Sequence, residues 1–180
     1  MKTKTTCLLI VTALGLASCK ENATQATTPN TPAKQTSAVV SAVLTAAPTG
    51  KPQAIAAARA SAKPSDEITL SGKIMGSAKP FVDGRAAFIL GDPEVLTACN
   101  EVPGDNCETP WDACCDSPED KKRATATIQI VGEDGRVLKE SIEGVGGLKN
   151  LSTVTVTGKI ADGSSPELML LNATAIRVEN

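Results

Sequence analysis

From Ala124 to Val131 apolar and polar residues alternate, with Ala124, Ala126, Ile128 and Ile130 on one side and Thr125, Thr127 and Gln129 on the other. A period of two predicts a half-buried β-strand. Similar patterns predict further strands along the second half of the chain. Ile68-Thr69-Leu70-Ser71 alternates and continues through Gly72 to Lys73-Ile74, which predicts a curved strand with a bulge at the glycine. Arg85 to Leu90, with Ala87, Phe88, Ile89 and Leu90, predicts a more deeply buried strand. Gly132-Glu133-Asp134-Gly135 is turn chemistry, so Arg136 to Ile142 is expected to return as the second arm of a hairpin. Gly144 to Leu151 holds three glycines and is expected to form at most about one helical turn. Thr153 to Thr157 alternates again and runs through Gly158-Lys159-Ile160; after the Asp162-Gly163 turn, Leu168 to Val178 supplies the last strand.

About six short strands separated by turn signals, with no ten-residue helical pattern among them, predict an all-β domain: a small antiparallel barrel or, alternatively, a β-sandwich. Leu70-Ser71-Gly72-Lys73-Ile74 at the first strand and Val156-Thr157-Gly158-Lys159-Ile160 before the closing hairpin carry a likeness to known barrels. In strand order and in these pieces, the stretch from Ile68 to Val178 resembles an OB-fold, which implies five strands with a short helix before the fourth. OB-folds often bind single-stranded nucleic acid or oligosaccharide across strands two and three. Nucleic acid is not expected here, because single-strand binding needs a cationic groove and aromatic platforms.

The N-terminus follows a different pattern. Lys2 and Lys4 precede an apolar run from Cys7 to Leu16, and Leu16-Ala17-Ser18-Cys19 closes it. A basic start, a short apolar run and small residues before a cut site describe a secretory signal, too short for a membrane span. The four closing residues resemble the lipobox of bacterial lipoproteins. That resemblance implies a signal peptide of residues 1–18, a mature chain beginning at a lipidated Cys19, and attachment to a membrane through lipid. Each buried methylene contributes about 0.8 kcal/mol, so several acyl chains on one residue suffice for stable anchoring. Lys20 stands where an aspartate usually retains enteric lipoproteins in the inner membrane, so the expected address is the outer membrane. Without lipidation five cysteines would enter an oxidising compartment, leaving one unpaired.

Charge divides the exported chain. Residues 20–63 carry five Lys and Arg against Glu21 alone, a net of plus four, whereas residues 64–180 carry eleven against nineteen acids, a net of minus eight. The first of these segments is built of Ala, Thr, Ser and Pro and has no aromatic residue, so residues 19–63 are expected to form a flexible tether. A coil of about forty residues has a root-mean-square reach of roughly 35 Å. Residues 64–180 suit a single domain. Its core must be aliphatic, because Phe81, Phe88 and Trp111 are the only aromatics in the whole chain.

Between the second and third predicted strands lies a long loop, residues 92–120. It holds Cys99, Cys107, Cys114 and Cys115 together with nine acids and no Lys or Arg. Four thiols in an exported protein most simply form two disulfides. A bond between Cys114 and Cys115 is disfavoured because adjacent side chains diverge. Two connectivities stay open: Cys99 with Cys114 and Cys107 with Cys115, or Cys99 with Cys115 and Cys107 with Cys114, each bridge contributing about 3 kcal/mol. The alternative is a thiolate metal site, for which the Cys-x7-Cys-x6-Cys-Cys spacing lacks paired Cys-x2-Cys knuckles. No metal or other cofactor is expected. The acids Asp105, Glu108, Asp112 and Asp116, with Trp111, form a candidate contact surface for a basic protein, a cation or an envelope polymer. Trp111 is expected to pack over the disulfides.

Thr109-Pro110-Trp111-Asp112-Ala113-Cys114-Cys115 also resembles a string found in short exported proteins of planctomycete-type bacteria, a likeness that brings no activity with it. The chain has no histidine, so Ser-His and Cys-His pairs are excluded and the usual general base near neutral pH is missing. The expected function is a non-catalytic, lipid-anchored binding or interaction module of the cell envelope. The alternatives are a metal or redox protein using the four loop cysteines, and a structural envelope lipoprotein.

Overall fold

A computed structural model describes residues 36–179. In it the alternation after Ala124 becomes a strand, β3 (Thr125–Gln129), with Ala126 and Ile128 buried and Thr125, Thr127 and Gln129 half-exposed. Four more strands complete the sheet: β1 (Glu67–Lys73), β2 (Ala87–Gly91), β4 (Thr153–Ile160) and β5 (Leu170–Val178). They join as a closed barrel in the order β1-β2-β3-β5-β4, with β4 returning onto β1 over seven residue pairs. All pairings are antiparallel except β3 with β5. This is the five-stranded, OB-like closed barrel expected from the sequence; in place of a helix before the fourth strand it has a single 3-10 turn, Val145–Gly147.

Inside the barrel Leu70, Ile74, Phe88, Leu90, Ile128, Val154, Val156, Leu171 and Ile176 are almost wholly withdrawn from water. Phe88 meets Phe81 with ring centroids 5.9 Å apart and tilted by 49°. Two phenylalanines are few for a barrel interior, so aliphatic side chains supply most of it.

Part of the core comes from a segment the sequence suggested was a tether. Helices α1 (Ala38–Thr45) and α2 (Ile55–Arg59) pack on the barrel, burying Val40, Val43, Ile55 and Ala58 in the same core. Ser37 caps α1 by accepting the Val40 amide, and its own amide donates to Glu140 Oε2 at 3.0 Å. Between the helices, the Gln53 amide donates to Thr69 O and the Ser71 amide to Gln53 O, so this stretch adds a short parallel bridge to β1. The Thr49 amide donates to Thr157 Oγ1 at 2.9 Å, and the Thr69 hydroxyl donates to the Thr49 carbonyl. Overall composition concealed this, because only two residues of each helix are buried, three apart on one face (Val40 with Val43, Ile55 with Ala58). The domain therefore begins before residue 64; residues 19–35 of the expected tether and the expected signal peptide, residues 1–18, lie outside the described residues.

Two expectations for the strands also change. Arg136 to Ile142 forms one bridge, Val131 with Val137, and no strand. Beyond Leu138 the chain is turned to other uses, with Glu140 holding the start of α1 and Ile142 buried in the core. Gly72 does not mark a bulge, since β1 pairs with β4 in unbroken register across it. It marks a close approach instead: a Cβ there would lie 2.8 Å from Leu90 Cγ and 2.7 Å from Gly91 O. The irregularity falls between Thr157 and Gly158, where β4 and β5 change register.

Candidate functional site

The loop between β2 and β3 is a folded appendage with its own small core of Met75, Leu96, Ala98, Ala113 and Ala124. At its base Asp92 is 1% exposed and accepts the amides of Ala56 and Glu94 at 2.9 and 3.0 Å, tying the loop to α2. The two arms of the loop are laced together by main chain: the Cys99 amide donates to Asp112 O at 2.8 Å and the Asn100 amide to Pro110 O at 2.9 Å. Trp111 is half-buried and fastens the tip to the barrel, its Nε1 donating to Ala78 O and its carbonyl accepting the Gly76 amide, both at 3.0 Å. Lys73 of β1 pairs with Glu101. A short helix, α3 (Pro118–Ala124), capped by Ser117, returns the chain to β3.

This lacing gathers the cysteines. Cys99 Sγ and Cys114 Sγ lie 3.4 Å apart, Cys114 Sγ and Cys115 Sγ 3.9 Å apart, and the sulfurs of Cys99, Cys107 and Cys114 all lie within 4.8 Å of one another. All four are free thiols with no sulfur–sulfur bond between them, although the sequence suggested two disulfides. Of the pairings it left open, Cys99 with Cys114 is the one the fold brings nearest to contact. The environments differ sharply. Burial pushes the Cys99 thiol up to about 12. The Thr109 hydroxyl, 3.3 Å from Cys107 Sγ, holds Cys107 below the usual thiol range. Cys114 is drawn down by Cys99, but Cys115, desolvation and Cys107 together outweigh that contact and leave it raised.

The acids expected to face a basic partner are largely occupied within the loop. Asp112 Oδ1 accepts the Ala113 amide at 2.7 Å, Asp116 Oδ2 accepts the Thr97 amide at 2.9 Å, and Asp105 Oδ1 accepts the Cys107 amide at 2.9 Å. Asp105, Asp112 and Asp116 are half-buried, and of the five residues in the candidate surface only Glu108 is fully exposed. These carboxylates close turns. Trp111 lines a shallow cleft with Phe81, Asp83, Glu143 and Asn150.

A second site was not singled out from the sequence. On the outer face of β2 and β3 a groove of about 580 Å³ has Ala87, Thr127 and Gln129 as its floor, with walls built from the two turns that flank those strands. Arg85 from one turn, and Arg136 and Lys139 from the other, line it beside Val82 and Val137. All three cations are exposed, and among the described residues none has an ion-pair partner. Among the described residues no acid lines the groove: of those in the same turns, Asp83 lies 3.9 Å from Lys79, Asp134 Oδ1 accepts the Arg136 amide at 3.1 Å, and Glu133 is exposed. A net charge of minus eight over residues 64–180 hid this local excess of positive charge. The usable signal was one basic residue just before β2 and two just after the turn that follows β3.

No family model, no curated protein and no solved structure matches the chain. Among the described residues no helix is long and apolar enough to cross a membrane. Cys19, the expected lipidation site, lies outside the described residues.

Proposed function

We propose that the chain is a non-catalytic binding module of the cell envelope, anchored through lipid on Cys19, that takes an extended anionic polymer across the β2–β3 face. The observation that carries this reading is the groove with three unpaired cations, Arg85, Arg136 and Lys139. Unpaired cations along a groove favour an occupant whose negative charges are spaced along a chain, and the attraction should weaken with salt. No aromatic side chain lines the groove, so there is nothing on which bases could stack, and an acidic polysaccharide fits better than a nucleic acid. The OB-like architecture supports the choice of face, by analogy of fold alone.

The test is fluorescence anisotropy with labelled polygalacturonate, using neutral dextran and oligothymidylate as comparison ligands. Polygalacturonate is expected to bind at low salt and to be lost at high salt, and charge reversal at Arg85, Arg136 and Lys139 together should abolish binding. Equal binding by wild type and the triple variant, or no binding at low salt, removes the groove from consideration. Anchoring is tested separately in cells by Cys19→Ser, which should release the protein from membrane fractions and end its labelling by fatty acid.

A further inference from the structure

The cysteine loop carries a second site, independent of the groove. Two overlapping sets of ligand atoms meet at Cys114. In one, the sulfurs of Cys99, Cys107 and Cys114 lie within 4.8 Å of one another; in the other, the sulfurs of Cys114 and Cys115 lie equally close to a carboxylate oxygen of Asp105. With zinc–sulfur bonds of about 2.3 Å, tetrahedral geometry sets neighbouring sulfurs about 3.8 Å apart. The Cys99–Cys114 and Cys114–Cys115 separations of 3.4 and 3.9 Å bracket that value.

A second observation concerns Asp105. Its Oδ1 accepts the Cys107 amide, whereas its Oδ2 is buried and has no hydrogen-bond partner. Among the described residues only two other side-chain polar atoms are stranded in this way, Arg59 Nε and Asn150 Oδ1, and neither lies among thiols. A buried carboxylate oxygen without a donor is costly unless a cation satisfies it. The adjacency of Cys114 and Cys115 also gains a reason. The two cannot readily bond to each other, yet as neighbours they present one sulfur to Cys99 and Cys107 and the other to Asp105.

We infer that the tip of this loop is a binding site for a thiophilic divalent cation of the zinc type, with ligands drawn from Cys99, Cys107, Cys114, Cys115 and Asp105. Each coordinating thiol passes its proton to water as the metal–sulfur bond forms, so the step needs no oxidant or reductant. The lacing through Asp112, Pro110 and Trp111 holds the arms in place before the ion arrives, so binding needs movement of side chains and no refolding of the loop.

The experiment uses the protein purified with its thiols reduced and titrated with cobalt(II), then zinc. Expected are thiolate-to-cobalt charge-transfer absorption saturating near one equivalent, its displacement by zinc, and loss of the signal in Cys114→Ser. Asp105→Asn and Cys115→Ser, at half-buried and exposed positions outside the barrel core, should keep the wild-type circular dichroism while weakening zinc binding by roughly tenfold or more. Absence of the charge-transfer band in reduced, folded protein overturns the inference. So does a band unaffected by Cys114→Ser. Protein recovered from the envelope with two disulfides and no metal also overturns it, in favour of a loop stapled by oxidation.

Discussion

Gly158 of β4 and Asn172 of β5 approach so closely that a Cβ on the glycine would run into the Asn172 carbonyl oxygen and come within 2.9 Å of Ala173 Cα. The contact sits at the register change, where Thr157 pairs with Ala175 and Gly158 with Ala173, leaving Thr174 as the extra residue of the bulge. Gly158→Ala must therefore push two backbones apart and should cost about 1–3 kcal/mol. Its denaturation midpoint is expected to fall, while Gly84→Ala, where nothing lies within 4 Å but φ is +65°, should show only the smaller strain of a left-handed residue.

Ile55→Ala tests whether the N-terminal segment belongs to the domain. The side chain is 0% exposed, so truncation should cost about 2–5 kcal/mol. Val39→Ala, at a position 38% exposed on α1, should stay within about 0.5 kcal/mol. Equal, negligible effects in urea unfolding would return the segment to the role of a tether.

The contrast between these positions shows what the sequence could and could not reveal. Strands with strict alternation were legible, because burying one face of a sheet needs only a period of two; Ala126 and Ile128 lie inside and Thr127 lies outside, as their pattern implied. The docking of Val40 and Ile55 was not legible, since two apolar residues on a short helix bury little area and acquire meaning only from the barrel core they join. Cys99 was marked as a site residue by type, yet its place beside Cys114 depends on hydrogen bonds such as that from its amide to Asp112 O, which no spacing rule encodes. Arg85 and Arg136 lie 51 positions apart in the sequence and share a groove only because β2 pairs with β3.

Thiol alkylation of the reduced, metal-free protein should proceed in a fixed order. The thiolate is the reactive form. Cys107, held low by Thr109, is expected to react first at mildly alkaline pH, and Cys99, buried and pushed up to about 12, last. Thr109→Val should slow Cys107 without speeding Cys99, as read by mass spectrometry of quenched samples.

Acid should loosen the loop and the end of the barrel by separate routes. Asp120 is held below its ordinary value of 3.8 by the Ser117 hydroxyl and by Arg123; Glu179 is held below 4.5 by Arg177 and by the Thr155 hydroxyl. Carboxyls with depressed values in the folded state contribute stability above their ordinary values and lose it as pH falls through the folded ones. Stability from these two groups should be level from pH 7 to 5 and decline below about pH 4. Asp120→Asn should flatten part of that decline in a series of thermal melts, and Ser117→Ala should bring the Asp120 titration back towards 3.8 in carboxyl chemical shifts.

In the ring of strands β1 is flanked by β2 and β4, and β5 by β3 and β4; β1 and β2 meet at one residue pair, Lys73 with Gly91, and part of the edge each leaves free is bonded to Gln53 or to Pro80 and Val82. Proteins held on a surface meet one another at local densities far above those of dilute solution, where a bare strand edge would recruit neighbouring copies into continuous sheets. A sheet closed and covered in this way offers the next copy less edge than an open one would. Under the lipid anchoring proposed above, that protection would keep neighbouring copies apart at high local density and leave the β2–β3 face of each open to its ligand.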